Sequence, residues 1–241
     1  MQQDFLSDIE LYYSLEFDKL NSCCIITGDE AHHALNVMRH NIADIIYVTD
    51  GKGNIYKSEI FNNIKRIVSL KILETYSYSN PYENIIFCVP RLKNQDRFEF
   101  ALEKCIELGI TNFIIYESER TVAKGDKSEK WSKLGIAAMK QSLRSYLPEF
   151  SFCKNPDEIL KKYSGSVICT FDQKADKVFS GSVINELKKI KESKIFLFGP
   201  EGGFSDREMK KFSSTQLFRL TGNRLRSETA IITAAILLAD L

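Results

Sequence analysis

The stretch KIFLFGPEGGFSDREMKKF, residues 194–212, combines three structural signals. Residues 195–198 are a short apolar and aromatic run, as in a strand buried on both faces of a parallel sheet. The glycine loop 199–203, GPEGG, permits close approaches that a side chain would prevent. Ser205 and Glu208 have capping-box spacing, so we expect a helix to begin directly after the serine. A strand, a glycine loop and a helix in this order are typical of a ligand-binding edge in an α/β sheet.

The glycine loop lacks the signature of a phosphate site. No Lys-Ser or Lys-Thr pair follows its glycines, and their spacing differs from that of the dinucleotide fingerprint. The negative charge of Glu201 would repel a phosphate, so a ligand with hydroxyls or a positive charge fits better. A tight turn without any ligand is the alternative, and the loop alone does not separate the two.

The composition is typical of a globular protein with one large domain or two ordinary ones. The 241 residues are 44% hydrophobic and 27% charged. The longest apolar run, 230–239, is too short to span a bilayer, so no membrane partner is expected. The first residues, MQQDFLSDIELYY, carry acids where a signal peptide needs bases, which predicts a cytoplasmic location.

The cysteines and histidines do not form a metal-binding pattern. None of the six cysteines is part of a C-x-x-C pair, and most lie in apolar contexts typical of reduced core residues. His32, His33 and His40 have no carboxylate or cysteine that completes a ligand set. We therefore expect no metal.

Charge and turn signals divide the chain. Residues 1–75 contain 7 Lys+Arg and 11 Asp+Glu, whereas residues 76–241 contain 26 and 21. Any nucleic-acid surface must therefore be a local patch. The polar segment 75–83, TYSYSNPYE, predicts a boundary between a domain at 1–75 and a domain at 76–241.

Residues 1–75 are predicted to form a small β-barrel with one helix. The helix is expected after Gly28, with Asp29 as its N-cap, and residues 50–53, DGKG, are expected to form a hairpin turn. The predicted strands are 9–17, 23–27, 45–48, 54–61 and 67–73.

The second part alternates strands and helices, which predicts an α/β fold with a largely parallel sheet and helices on both faces. The predicted strands are 85–89, 113–116, 167–171, 195–198 and 217–220. The predicted helices are 94–108, 128–146, 155–163, 180–190, 206–213 and 228 to the end.

Basic residues recur on one face of the predicted helix 128–146. Lys130, Lys133, Lys140 and Arg144 share this face, and Arg120 and Lys124 precede the helix. The face is either solvated or binds phosphates, with Gln141 adding hydrogen-bonding capacity. Arg39, at the end of the first helix, either contacts RNA or complements the helix dipole.

The last 22 residues, LTGNRLRSETAIITAAILLADL, form a second informative stretch. Arg224 and Arg226 flank Leu225, Ser227 can cap a helix, and Glu228 would lie in its first turn. The helix is apolar nearly all round, so it must be buried in the covering layer of the sheet or against another subunit. Since this loop and the glycine loop follow consecutive strands, both should open on the same sheet edge, which favours a ligand site.

Two motifs together, GPEGGFSDRE (199–208) and RLRSETA (224–230), resemble signatures of the ribosomal RNA small subunit methyltransferase E family. The likeness extends to EKCIELG at 103–109, ERTV at 119–122 and QSLRSYLP at 141–148. One departure is Leu-Thr-Gly at 220–222, where the family commonly has Leu-Gly.

This resemblance implies a fold and a cofactor. It implies a PUA-like RNA-binding β-barrel, followed by a SPOUT methyltransferase domain with a deep trefoil knot that forms a homodimer. The family uses S-adenosylmethionine to methylate N3 of a uridine in 16S rRNA of the small ribosomal subunit. The residues that the resemblance places around the cofactor are Phe171, Gly199, Pro200, Gly202, Gly203, Phe204, Leu220, Gly222, Leu225 and Ser227.

The chemistry that the resemblance implies is attack by uracil N3 on a sulfonium methyl group. We expect Arg226 to stabilise the charge that builds on the uracil oxygens, and Glu201 or Glu228 to take the proton. A purely structural role at the helix terminus is the alternative for Glu228. Two other functions remain open: a dimeric RNA-binding assembly protein without catalysis, and a methyltransferase of the same class acting on another RNA.

Overall fold

A computed structural model describes residues 7–18 and 20–239, and the chain divides into two compact units. Unit 1 comprises Met1–Asn80 and Ile136–Leu147, and unit 2 comprises Pro81–Gly135 and Pro148–Leu241. Unit 1 therefore takes a second segment from the middle of the chain. Among the described residues, no helix is both long enough and apolar enough to cross a membrane.

Unit 1 is a small barrel-like sheet with one helix, as predicted. Its strands run in the order β1-β4-β5-β6-β3-β2; β1 and β4 pair parallel and the other neighbours antiparallel. Helix α1 (Gly28–His32) continues as one π-helical turn, His33–Val37. The strands are β1 (Leu11–Tyr13), β2 (Glu16–Asp18), β3 (Cys23–Ile26), β4 (Ile45–Thr49), β5 (Asn54–Ile64) and β6 (Ile67–Ser77).

Two local predictions for unit 1 were wrong. The single strand expected over 9–17 is broken at Ser14, whose hydroxyl donates to the carbonyl of Ile25 and accepts from the backbone of Glu16. Asp29 is not the N-cap of α1: Thr27 holds that position, and Asp29 lies in the first turn. A carboxylate there still complements the helix dipole, so the acid is favourable at the second helical position.

The turn 50–53 between β4 and β5 joins the two segments of unit 1. The carboxylate of Asp50 accepts from the backbone amides of Lys52 and Asn54 at 2.8 and 3.1 Å. Gly53 has a φ of +102°, and a Cβ there would stand 2.5 Å from the hydroxyl oxygen of Tyr146. Its amide donates to Ser145 at 2.9 Å. Only glycine permits both the backbone angle and the contact with Tyr146.

Unit 2 is built on a six-stranded sheet in which every pair is parallel, in the order β12-β10-β11-β7-β8-β9. This confirms the predicted parallel sheet, and β11 is buried along its whole length as expected. The edge strand β9, EFSFC, was not predicted. The strands are β7 (Ile85–Pro90), β8 (Asn112–Tyr116), β9 (Glu149–Cys153), β10 (Val167–Phe171), β11 (Lys194–Phe198) and β12 (Gln216–Phe218).

Six helices accompany this sheet, and the predicted capping box of Ser205 and Glu208 opens α6. One face of the sheet packs Ile114 and Leu197 against Ile159 of α4 and the buried Phe212. Helix α3 ends earlier than predicted, because Leu143 adopts a φ of 54°; its residues from Ile136 belong to unit 1. The helices are α2 (Gln95–Glu107), α3 (Ser128–Gln141), α4 (Pro156–Lys162), α5 (Gly181–Lys188), α6 (Asp206–Lys211) and α7 (Ser227–Ala239).

Candidate functional site

The site lies in unit 2, where β10, β11 and β12 end. These strands are neighbours and parallel, so the loops that follow them leave the sheet at one edge. The three loops line a cavity of about 590 Å³, within the usual range for a ligand pocket. The glycine loop and the loop before α7 therefore do open on the same edge.

The glycine loop is closely packed on its inner side. A Cβ at Gly199 would stand 3.3 Å from the ring of Phe204, so a larger residue would push the ring away. Phe204 itself is buried and meets Phe212 with ring centroids 4.8 Å apart. Phe204 thus supports the loop from the core instead of lining the cavity, where the resemblance had placed it.

Two buried hydroxyl groups hold the carbonyls at the end of β11. Ser227, the first residue of α7, donates from its Oγ to the carbonyl of Gly199. Tyr116 donates to the carbonyl of Phe198, and burial raises the pKa of this tyrosine well above its usual value, so it remains a donor. The bond from Ser227 ties the start of α7 directly to the glycine loop.

Glu201 and Glu228, two of the three acids that line the cavity, have different surroundings. Glu228 lies in the first turn of α7 with its side chain 11% exposed, and its Oε1 is 3.7 Å from Nε of Arg97 on α2. Glu201 is exposed, and its Oε1 accepts from the backbone amide of Lys93 at 2.8 Å. Glu228 is therefore held within the packing of two helices, whereas Glu201 stays open to solvent.

Arg224 and Arg226 both line the cavity and are exposed. Within the described part of the chain, neither guanidinium makes a hydrogen bond or an ion pair. The cavity thus presents two unpaired guanidinium groups on either side of Leu225.

Most of the sequence-predicted cavity residues meet here, with two exceptions. Phe204 is in the core, and Gly222 is exposed but is not among the lining residues. Sequence reasoning missed five further lining residues: Arg97, Gln173, Phe198, Phe218 and Ala230. Arg97 lies in the first turn of the helix that follows β7, and only the pairing of β7 with β11 brings it to this edge. The predicted residues that line the cavity are Phe171, Gly199, Pro200, Glu201, Gly202, Gly203, Leu220, Leu225, Arg226, Ser227 and Glu228.

The residues predicted to contact RNA are in part engaged within the protein. In unit 2, Arg120 donates to the carbonyl of Gly202 at 2.9 Å, and Lys124 pairs with Glu117 at 3.2 Å. In unit 1, Lys140 makes a half-buried ion pair with Glu30 at 2.5 Å. Three further residues that were predicted to contact RNA also belong to unit 1: Arg39, Gln141 and Arg144.

Glu208 fixes the position of the segment that carries Arg120. Besides its role in the capping box, its buried carboxylate accepts from the amide of Glu119 at 3.0 Å and the hydroxyl of Ser118 at 3.2 Å. The glycine loop and the segment 118–120 are thus attached to the same helix start.

The histidines and cysteines do not gather into a metal site. No group of three His, Cys, Asp or Glu side chains in the described ranges could hold a metal ion. His33 and His40 approach Glu10 and Asp44 instead, at 3.7 and 3.5 Å.

Two family matches cover most of the chain. Residues 79–239 match the RNA methyltransferase domain family, and residues 26–73 match the RNA methyltransferase PUA domain family. The chain belongs to the RNA methyltransferase family. Membership confirms the resemblance drawn from GPEGGFSDRE and RLRSETA, and both of these motifs lie at the cavity.

Individual relatives agree with this assignment. The ribosomal RNA small subunit methyltransferase E of Bacillus subtilis (strain 168) is 28% identical over 85% of this chain and 85% of its own length. The protein of that name from Aquifex aeolicus (strain VF5) is 27% identical over 78% and 82%. The crystal structure of ribosomal RNA small subunit methyltransferase E from Neisseria gonorrhoeae, bound to S-adenosyl methionine, matches with a TM-score of 0.82 over 95% of both chains, at 24% identity. The similarity between this crystal structure and the present chain supports the fold described above.

Proposed function

We propose that this protein transfers the methyl group of S-adenosylmethionine to N3 of a specific uridine in 16S rRNA of the small ribosomal subunit. The cavity at the carboxyl ends of β10, β11 and β12 carries the proposal, because two unpaired arginines and three carboxylates line it in an RNA methyltransferase. A structural relative solved with S-adenosyl methionine adds support for the methyl donor.

The cavity residues fit such a methyl donor. Phe171, Leu220 and Leu225 offer apolar surface for an adenine ring, and the backbone of the glycine loop offers amides and carbonyls for polar groups. Asp172 and Glu201 supply negative charge suited to an ammonium and a sulfonium group. The bound donor would supply an electrophilic methyl group. Ser227 keeps the loop in shape by holding the carbonyl of Gly199.

Arg226 is the proposed stabiliser of the developing charge. The N3–H of uracil is a weak acid, so negative charge builds on its oxygens as the proton leaves. An unpaired guanidinium in the cavity can donate to such an oxygen, in the manner of an oxyanion site. Arg224 flanks the same leucine and is suited to a phosphate of the RNA.

Of the two acids, Glu201 fits proton removal better. It is exposed, whereas Glu228 is nearly buried and lies beside Arg97, which favours a positioning role. Glu201 is held at one oxygen by the amide of Lys93, so its other oxygen can face the substrate.

The deciding experiment is tritiated methyl transfer from S-adenosylmethionine to naked 16S rRNA and to small subunits that lack the modification, followed by mapping of the modified base. We expect one labelled uridine, methylated at N3. Label on another base or another RNA would identify a different substrate. Calorimetric titration with S-adenosylmethionine distinguishes the proposed enzyme from a non-catalytic assembly protein, because the assembly protein would not need to bind S-adenosylmethionine.

We also propose that unit 2 contains the trefoil knot and forms a homodimer, and that the protein acts in the cytoplasm, where ribosomes are assembled. The dimer is supported by α7, which is apolar from Ala230 onward except for Thr233 and leaves Ile236 43% exposed. An exposed apolar face on such a helix fits a second copy of the chain.

A further inference from the structure

The hairpin of β5 and β6 in unit 1 ends in an exposed tip, residues 61–67, FNNIKRI. Phe61 is 48% exposed, and Ile64 and Ile67 are exposed as well. Lys65 and Arg66 stand at the very end, and their side chains make no hydrogen bond or ion pair within the described ranges of the chain. The fold of unit 1 therefore makes little use of these side chains.

The turn at the tip is unfavourable for the residues that form it. Ile64 pairs with Ile67, so Lys65 and Arg66 form a two-residue loop. Both have positive φ angles, 52° and 65°, as in a type I′ turn. Asn-Gly is the preferred pair in this turn, because residues with long side chains rarely adopt positive φ. Two adjacent cations in these positions indicate a use other than closing the hairpin.

Phe61 lies at a β-bulge and is exposed to solvent. Ile60 pairs with Leu70 and Asn62 with Ser69, which leaves Phe61 as the extra residue between them. Ile60 is fully buried, and the next side chain, Phe61, lies on the solvent side, as the alternation of side chains along a strand requires. The tip therefore presents an exposed aromatic ring in the same hairpin end as Lys65 and Arg66.

The charge of the tip contrasts with the segment around it. Residues 1–75 contain 7 Lys+Arg against 11 Asp+Glu, and two of those seven cations are adjacent at the tip. From residue 60 to residue 73 there is no acid in the sequence. A bare cationic tip in an acidic segment fits a polyanion.

Among polyanions, RNA fits the tip best. Lys and Arg bind phosphates, exposed aromatic rings stack on unpaired bases, and the amides of Asn62 and Asn63 can reach base edges. A lipid surface would use the cations and the apolar side chains but would leave both amides without suitable partners.

We propose that the hairpin tip is an RNA contact, with Lys65 and Arg66 on phosphates and Phe61 stacked on an unpaired base. The choice of RNA rests on the proposed function. The contact is additional to the cavity and belongs to the other unit of the chain.

The double variant K65N/R66G separates the turn from the contact. Asn-Gly suits the type I′ turn, so the thermal midpoint should stay equal or rise, whereas affinity for naked 16S rRNA should fall. Loss of two phosphate contacts to single-stranded RNA should reduce the slope of log K against log salt by about 1.4. F61S should lower the affinity without changing that slope, because stacking releases no counterions.

The double variant K188N/K189N is the matched control, since it removes two adjacent exposed cations from the end of α5 and its C-cap. It should leave both affinity and slope near the wild-type values. If the control loses as much RNA affinity as K65N/R66G, the loss reflects net charge and not a contact at the tip. If the slope of log K against log salt is unchanged in K65N/R66G, the tip residues form a turn and do not bind phosphates. Either result overturns the proposal.

Two further measurements separate the alternatives. Binding to phosphatidylserine vesicles that K65N/R66G loses, while RNA affinity is kept, would overturn the proposal in favour of a membrane surface. Methyl transfer by the wild type is assayed separately. If the wild type transfers methyl groups but the tip variants bind RNA normally, only the proposed RNA contact is overturned. If the wild type transfers no methyl group but K65N/R66G clearly loses RNA affinity, only the proposed enzymatic function is overturned.

Discussion

Arg226 and Glu228 are two residues apart in the sequence, yet they differ in environment. Arg226 is exposed in the cavity without a partner among the described residues, whereas Glu228 lies in the first turn of α7 beside Arg97. The difference arises because α7 begins between them, so helix geometry turns Glu228 toward α2.

Replacing Arg226 with alanine should reduce methyl transfer by about 10²–10³-fold, the usual effect of removing one charge-stabilising donor. Affinity for S-adenosylmethionine should change little, since the proposed role is on the uracil side. Single-turnover transfer and calorimetric titration check both points. R224A is the matched control and should chiefly weaken RNA binding; near-normal turnover in R226A would rule out the assigned role.

For Arg97 and Glu228 we predict energetic coupling. E228Q and R97Q should each weaken S-adenosylmethionine binding, and the double variant should be little worse than the poorer single one. Arg97 is 48% exposed, so the coupling should be only about 0.5–1 kcal/mol. A calorimetric double-mutant cycle measures it, and simple additivity would mean that the two residues act separately.

At the scale of elements, sequence signals predicted the structure correctly where the interacting residues are close neighbours in the chain. The capping box of Ser205 and Glu208 is an example, because both partners lie within three residues. The additional bonds from Glu208 to Ser118 and Glu119 span 90 and 89 residues, and no local pattern contains them. The edge strand β9 was missed for a related reason: its pairing with β8 defines it better than its own pattern does.

The turn 50–53 provides a prediction at this scale. Gly53→Ala should destabilise the protein more than Gly125→Ala, although both glycines have φ near +90° to +100°. Gly125 has no atom within 4 Å of its Cβ position, so its variant should lose only about 1–2 kcal/mol from the backbone. Gly53→Ala adds clashes with the ring of Tyr146 and the backbone carbonyl of Tyr78, typically a further ~1–3 kcal/mol. Urea unfolding compares the free energies of unfolding of the two variants, and equal losses would mean that both neighbours move aside at no cost.

At the scale of the whole molecule, α7 has one buried side and one exposed apolar residue. Its buried side, with Ile231 and Leu238, is consistent with the covering layer predicted from sequence, while Ile236 remains exposed. The sequence predicted that this helix is buried on all sides. Within one chain, α7 is buried on only part of its surface.

Ile236→Glu should shift the proposed dimer toward monomer, because a charge would be buried in an apolar contact. Light scattering after size exclusion, at matched concentrations, measures the mass. Val178→Glu serves as the control, since Val178 is an apolar residue of unit 2 with similar exposure, 44%. A wild-type monomer, or equal effects of both variants, would place any association elsewhere.

By itself, the sequence determined the alternation of strands and helices, the buried strand β11, the glycine loop and the helix starts that surround the cavity. These features depend on hydrophobic period, turn residues and caps, which act over a few neighbouring residues. The sequence also pointed to the two loops that carry the candidate site.

Only the tertiary structure decided the strand order β12-β10-β11-β7-β8-β9, the place of Phe204 in the core and the entry of Arg97 into the cavity. It also assigned residues 136–147 to unit 1 through contacts such as Gly53 with Ser145. The physical reason is that pairing and close packing join residues far apart in the chain. Their choice depends on which surfaces fit together, and no local period records that choice.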